Sequence, residues 1–273
     1  MDRPLAAFDI EATPDPEIGR RVLGLEGDDA TVIPAMLARR EQETDGRTSF
    51  FQPPFHRIVA ISVAWLDPSQ GAFRLGTFGT ACGDEPRQIR EFFQVVAKAP
   101  VAPRLVSWNG NGFDMPVLRY RAMLHGIQAP EMYRSDGPWK YNNYHARYHD
   151  MHVDLMDVLA GYGSSDRVGL DALSRILGLP GKTVTSGEDV WRHVLAGADE
   201  IVRTYCELDA LTTLLLYMQW AHHRGNLDDG ALARHLDRIA TYLEAGSKPD
   251  WHEMAAALRR WPTWLRHQGL ATK

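Results

Sequence analysis

Hydrophobic and polar positions alternate with period two along LAAFDIEA, Leu5 to Ala12, which predicts a strand with Phe8 and Ile10 on one face and Asp9 and Glu11 on the other. HRIVAISVAWL, His56 to Leu66, is nearly continuously apolar and rich in β-branched residues, and predicts a second strand. Ala72 to Phe78 predicts a third, joined to the second by the turn signal DPSQG, so this part of the sheet reads as an antiparallel meander. The period then lengthens. EPRQIREFFQVVAK sets Ile89, Phe92, Phe93 and Val96 at helical spacing. The short apolar run RLVSW, Arg104 to Trp108, leads through NGNG into FDMPVLRYRAMLHG, a helix ending at Gly126. VDLMDVLA and GLDALSRILGLPG carry two more helical patterns, the second closing on Gly178 and Pro180, and ADEIVRTYCELDALTTLLLYMQWA predicts a long, strongly apolar helix.

Early strands with helices mixed in afterwards predict an α/β fold, a mixed sheet covered by helices. Three segments fit this frame less closely. Asp15 to Phe55 is a long insertion between the first two strands, of the kind often used as a lid or left flexible. Asp136 to Met151 is polar, aromatic and basic without clear period, and Leu227 to Lys273 predicts two helices, the second opening at Asp250 as its N-cap. The expected division is a main domain over residues 1–225, with the insertion at 15–55, and a helical C-terminal extension over 226–273.

Composition narrows the chemistry. Hydrophobic residues at 44% and charged ones at 24% of 273 residues are ordinary for a soluble globular protein. No window reaches the ~18 apolar residues of a membrane span. The N-terminal apolar run is interrupted at once by Asp9 and Glu11, unlike a secretory signal, so a cytoplasmic location without membrane contact is expected. Two cysteines, Cys82 and Cys206, give no material for a disulfide framework or zinc knuckle. With a net charge of −5, nucleic-acid binding must come from a local site and not from a bulk basic field.

Like charges on one strand face repel and raise at least one pKa unless something positive lies between them, and a divalent metal is the usual answer. A half-exposed strand with a wet polar face fits Asp9 and Glu11 equally well. Asp114 stands at a helix start two residues before Pro116, where an acid read alone is an N-cap worth ~1 kcal/mol. Tyr205 and Asp209, spaced i, i+4, share one face of an apolar helix, so Asp209 either meets a partner or metal or turns to water beside Glu207. GLPGKT lacks the first glycine of a phosphate-binding loop, having Ile176 there, and reads as a helix stop, while NGNGFDM has Met115 where a dinucleotide fingerprint needs its third glycine. His145, His149 and His152 with Asp154 read as a solvated polar segment, and Arg119, Arg121 and Lys182 as surface charges.

D-x-E on a strand, N-x-x-x-F-D at a loop-helix junction and Y-x-x-x-D on a late helix, in that order, resemble the DEDDy 3′-to-5′ exonucleases, above all the predicted exonucleases related to the proofreading domain of family-B DNA polymerases. The resemblance covers Leu5 to about Tyr217 and includes WKYNNYHARYHDMHVDLMD and LSRILGLPGK. It implies a ribonuclease-H-like α/β fold, with Asp9, Glu11, Asp114 and Asp209 holding two Mg2+ or Mn2+ ions and Tyr205 orienting the attacking water. In that arrangement Asp9 bridges both metals, Glu11 and Asp209 lie on the nucleophile side, and Asp114 holds the second metal through water. Hard oxygen donors suit these ions, and the absence of a compact Cys or His cluster argues against zinc. Relatives commonly carry Thr directly after D-x-E; here Ala12 stands there, and Thr13 continues the acidic face if the strand persists.

The implied function is metal-dependent release of nucleoside 5′-monophosphates from single-stranded 3′ ends, DNA favoured, with a DNA-repair setting. The chain is too short to hold a polymerase as well, so the implied protein partner is a polymerase or another replication or repair protein in trans. Asn109, Trp139, Lys140 and Arg147 are the candidates for gripping the strand, the last three from a segment that interleaves aromatic and basic residues. The same segment also reads as a loop whose aromatics fill a local core. Processing of RNA ends or short oligonucleotides, and a catalytically silent nucleic-acid-binding adaptor, remain open alternatives.

Overall fold

The computed structural model describes residues 3–181 and 187–267, so Lys182 lies outside the described residues. β1 (Leu5–Pro14) is the middle of a five-stranded sheet with β2 (His56–Asp67), β3 (Ala72–Thr77), β4 (Arg104–Ser107) and β5 (His152–Asp154), in the order β3-β2-β1-β4-β5. β1 to β3 pair antiparallel, whereas β4 runs parallel to β1 and β5 parallel to β4. The three expected early strands are all present, and β1 persists past Ala12, which keeps Thr13 on the face of Asp9 and Glu11. β5 corrects the helical reading of VDLMDVLA: its first residues join β4 in parallel register, and only Leu155–Leu159 becomes helix. Three residues are too few to show a period of their own.

In chain order the helices are α1 (Pro16–Leu23), α2 (Asp29–Glu43), α3 (Glu85–Lys98), α4 (Asp114–Leu124), α5 (Leu155–Leu159), α6 (Leu170–Ile176), α7 (Val190–Leu195), α8 (Asp199–His223), α9 (Asp229–Glu244), α10 (Pro249–Leu258) and α11 (Thr263–His267). They cover both faces of the sheet. Leu5 and Ala7 of β1 share a core with Leu211, Leu214, Leu215 and Met218 of α8 and with the inner faces of α9 and α10. Ala6, Phe8 and Ile10, one step out of phase, pack with Ile89 and Phe92 of α3 and Val117 and Leu118 of α4. A mixed sheet whose central strand is antiparallel on one side and parallel on the other, with helices on both faces, is the ribonuclease-H-like architecture that the resemblance implies. No helix among the described residues is long and apolar enough to cross a membrane.

Asp9 and Glu11 therefore lie on the α8 face. The register on β2 slips between Glu11, opposite Ala60, and Ala12, opposite Ile58, leaving Val59 as an extra residue. This bulge turns both Val59 and Ala60 toward Tyr205 and Cys206 of α8 while Ile58 packs in the opposite core.

The insertion is structured. Asp15 caps α1, accepting from the N–H groups of Glu17 and Ile18, and Asp28 caps α2. Among the described residues the C-terminal part contains three helices where two are expected, and the helix expected to open with Asp250 as its N-cap starts two residues earlier: Lys248 is the N-cap and Pro249, which has no N–H to satisfy, leads the first turn.

Arg121 is not the surface charge that its neighbours in sequence suggest. Its guanidinium is buried on α4, donating Nη1 to Asp15 (2.5 Å) and forking Nε and Nη2 onto Glu85 (2.7 and 2.6 Å). Glu85 also accepts the Ile58 N–H at 2.7 Å and lies 2.6 Å from His125 Nε2. One side chain thus joins the insertion, α3, α4 and β2. Arg121→Ala leaves two buried carboxylates uncompensated, a loss expected to cost about 3–5 kcal/mol in urea unfolding; a loss under about 1 kcal/mol would show that water reaches and solvates these acids.

Candidate active site

Asp9 and Glu11 leave the central strand toward α8, and the i, i+4 spacing of Tyr205 and Asp209 brings both onto the α8 face that meets them. The ligand atoms of Asp9, Glu11 and Cys206 lie within 4.8 Å of one another. Cys206 Sγ donates to the Asp9 carbonyl at 3.3 Å. Burial, and then the nearby charges of Asp9, Glu11 and Asp209, push the Cys206 thiol well above its ordinary range, so it stays a neutral donor. Three carboxylates from two elements thus act on one buried sulfur. Asp209 is itself buried, which settles against its facing water beside Glu207.

Asp114 does not cap its own helix. It is the first helical residue, its N-cap position is Phe113, and its Oδ1 accepts the Ile10 N–H at 3.2 Å, between Asp9 and Glu11. The reason is nonlocal: β4 stops at Ser107, so among the described residues β1 beyond Ala7 has no strand on that edge, and the Asp114 carboxylate takes up a β1 amide there. Burial, reinforced by the charges of Asp154 and Asp209, lifts the Asp114 pKa to about 7 against the two backbone hydrogen bonds that lower it.

The loop before Asp114 is held from below by a residue that the sequence reading set aside. Asp154, read as part of a solvated polar segment, is buried at the end of β5 and accepts the N–H groups of Asn109 and Asn111, each at 2.9 Å. His152 is buried too, 2.8 Å from Ser107 Oγ, and desolvation lowers its pKa to about 4, while His145 is exposed. The glycines make the turn tight: a Cβ on Gly110 would fall 2.1 Å from Ser107 Oγ. Asn109 adopts a left-handed φ of 63° to enter it.

On the other side of α8, Glu207 is buried and accepts from Lys248 (2.7 Å) and from Thr77 Oγ1 (3.0 Å), and Thr77 Oγ1 is 2.8 Å from Ser62 Oγ, whose residue pairs with Asp9 across the sheet. This chain of contacts sets the rotation of α8 about its axis. Asp250, with Asp171 and Glu253, lines a small cavity beside Tyr205 and Asp209, of about 30 Å³ and so large enough for a water molecule. No local signal marks Glu207 or Lys248, because their partners lie 41 and more residues apart. Thr13 Oγ1 is buried with no hydrogen-bond partner among the described residues.

The expected strand-gripping residues are dispersed. Trp139 is half-buried, its ring 5.5 Å from that of Tyr144 in the core beneath α3 and α4. Lys140 is exposed above the Tyr141 ring, Arg147 forks onto Asp157 at 2.8 and 3.0 Å, and Asn109 serves the turn through its backbone.

The donor set suits hard divalent cations, because carboxylate oxygens predominate in it. Without metal, folded Asp114 keeps a proton that the unfolded chain releases at an ordinary pKa of about 3.9. The stability from this group is therefore present below about pH 4 and is lost as pH rises toward 7. Asp114→Asn stays neutral and keeps an acceptor for Ile10. In EDTA it should exceed the wild type at pH 8 by at least about 1 kcal/mol, with the difference shrinking at pH 5; parallel urea-unfolding profiles for the two proteins would contradict this.

A family model described as a predicted 3′-5′ exonuclease related to the exonuclease domain of PolB matches residues 48–258. No curated protein matches the chain. The matched span holds Asp114, Tyr205 and Asp209 and reaches into α10, while Asp9 and Glu11 precede it on a strand paired on both sides with strands inside it. The match spans well over half of the residues, and the chain belongs to this family of predicted 3′-5′ exonucleases.

Proposed function

We propose that the protein is a DEDDy-type, metal-dependent 3′-5′ exonuclease that hydrolyses single-stranded nucleic acid, DNA in preference to RNA, to nucleoside 5′-monophosphates. The observation that carries this reading is the cluster of Asp9 and Glu11 with the buried Cys206 thiol, their ligand atoms within 4.8 Å of one another, with Asp209 close enough on the same helix as Cys206 to act on that thiol electrostatically and Asp114 bound to the amide between Asp9 and Glu11. So dense a set of acids has no stabilising use in the fold, because each adds repulsion and desolvation cost.

Asp9, Glu11, Asp114 and Asp209 would hold Mg2+ or Mn2+. Bound there, such ions supply positive charge to a phosphodiester and its leaving oxygen and acidify a coordinated water. The residues themselves do the rest. β1 and α8, both packed into the main core, hold three carboxylates at fixed spacing, so little reorganisation is needed when charge develops. Tyr205 lies one helical turn before Asp209, beside a cavity of water size, and its hydroxyl orients a water toward the phosphate. The neutral Cys206 thiol fixes the Asp9 backbone without adding charge. A polymerase or another replication or repair protein acting in trans is the partner that this activity calls for.

End-labelled single-stranded DNA and RNA incubated with purified protein, with and without manganese, test the reading directly. Asp9→Ala or Asp209→Ala should abolish metal-dependent hydrolysis and leave a folded protein; near-normal turnover in either would refute the assignment. Tyr205→Phe keeps the ring in its buried place and removes one hydroxyl, so turnover should fall on the order of 10-fold or more with little change in substrate affinity. Unchanged turnover with weaker binding would instead make Tyr205 a substrate contact.

A further inference from the structure

Two tyrosines outside the acidic site stand together in solvent. The rings of Tyr148 and Tyr162 meet edge to face with centroids 4.9 Å apart, although Tyr148 is 69% and Tyr162 40% exposed. Arg147 lies over both, 5.8 and 5.9 Å from the ring centroids. Arg147 and Arg167 both donate to the buried carboxylate of Asp157, two guanidiniums on one acid, which leaves this trio with a surplus positive charge.

The backbone under Tyr162 is strained in a way that serves the pair. Tyr162 has φ 56° and ψ 34°, between Gly161 at φ 56° and Gly163 at φ 100°, so three successive residues are left-handed. A tyrosine there costs about 1 kcal/mol or more relative to glycine. The surrounding residues from Gly161 to Gly169 are all exposed, so no core packing repays that cost. The ring is placed beside Tyr148 at the expense of the loop.

The cluster is joined to the acidic site. Asp157 lies 3.4 Å from Asn111 Nδ2, and the Asn111 N–H donates to Asp154, at the turn that leads three residues later to Asp114. We infer that Tyr148 and Tyr162, with Arg147 and Arg167, form the platform on which a single nucleic-acid strand rests as it leaves the carboxylates, its bases stacking on the rings and its phosphates meeting the guanidiniums. Base stacking on aromatic rings tolerates any sequence, and a local pair of guanidiniums gives a polyanion a foothold on a chain whose net charge is −5. This inference rests on the nuclease reading for its choice of ligand, but its test does not depend on turnover.

Binding of fluorescein-labelled oligothymidylate, read by anisotropy in EDTA, separates the two. Tyr148→Ala and Tyr162→Gly should each weaken binding about tenfold or more, and Tyr148→Phe, which keeps the stacking ring, should stay within about twofold of wild type. Tyr162→Gly suits the left-handed backbone, so its melting temperature should hold or rise, and loss of binding then cannot come from loss of fold. Wild-type protein that fails to bind the oligonucleotide, or unchanged affinity in both ring-removing variants, overturns the platform; so does a cluster that captures an acidic peptide in preference to the oligonucleotide. Protein that binds through the tyrosines yet hydrolyses nothing with manganese would sustain the platform and unseat the nuclease reading.

Discussion

Holding like charges together inside a protein is the constraint around which this structure is arranged. A carboxylate on a flexible loop would swing away from its neighbour, but Asp9 and Glu11 cannot, because β1 is pinned by backbone pairing to β2 and by its apolar residues to cores on both faces. Asp209 is fixed likewise by a helix whose following turns are buried leucines. The energy that confines the acids is therefore hydrophobic, on the order of 1.5–3 kcal/mol for each fully buried leucine or phenylalanine, and it is supplied at a distance from them. Charge elsewhere is managed differently. Asp15 and Glu85 meet Arg121, Glu207 meets Lys248, and Asp157 meets Arg147 and Arg167, whereas Asp114 is given only neutral peptide N–H donors and stays partly protonated.

What could be read along the chain was whatever depends on period. The alternation in LAAFDIEA gives the shared face of Asp9 and Glu11, and i, i+4 spacing gives that of Tyr205 and Asp209; both hold because neighbouring side chains on one element are fixed by its geometry alone. α3 begins and ends where its apolar spacing says. The Gly178 stop is found as expected, with a left-handed φ of 86° just beyond α6. The failures are of another kind. Arg121 looks like a surface charge until Glu85 and Asp15, 36 and 106 residues away, are folded against it. Asp154 and His152 look solvated because a strand as short as β5 carries no pattern, and its burial is decided by β4 and the helices over it. Asp114 looks like a cap because its true partner is an amide left over where another strand ends. In each case the information lies in a contact between segments.

The family match and the fold complement each other at one point in particular. The matched span begins at residue 48, after the D-x-E strand, so that pattern alone would leave two of the four acids unassigned. Strand register supplies the link. β1 inserts between β2 and β4, with Asp9 opposite Ser62 and Ile10 bound to Asp114, and both partners lie inside the matched residues. A sheet with that slot empty would leave the edges of β2 and β4 unpaired and Cys206 without its Asp9 acceptor. The backbone hydrogen bonds of the sheet thus set the D-x-E residues beside Asp114 and Cys206.

The insertion between β1 and β2 bears on the site through the same logic. Asp15 is both the cap of α1 and a ligand of Arg121, and Arg121 sits two turns along α4 from Asp114. α4 is therefore gripped at both ends, by the insertion and Glu85 through Arg121 and by the Ile10 amide through Asp114. A helix held at two points cannot slide along its axis without breaking a buried ion pair, and a slide of one residue, 1.5 Å, would already remove Asp114 from hydrogen-bonding distance of Ile10. Distant as it is in sequence from the other acids, Asp114 is thus kept in register with Asp9 and Glu11 by an arginine that never touches them.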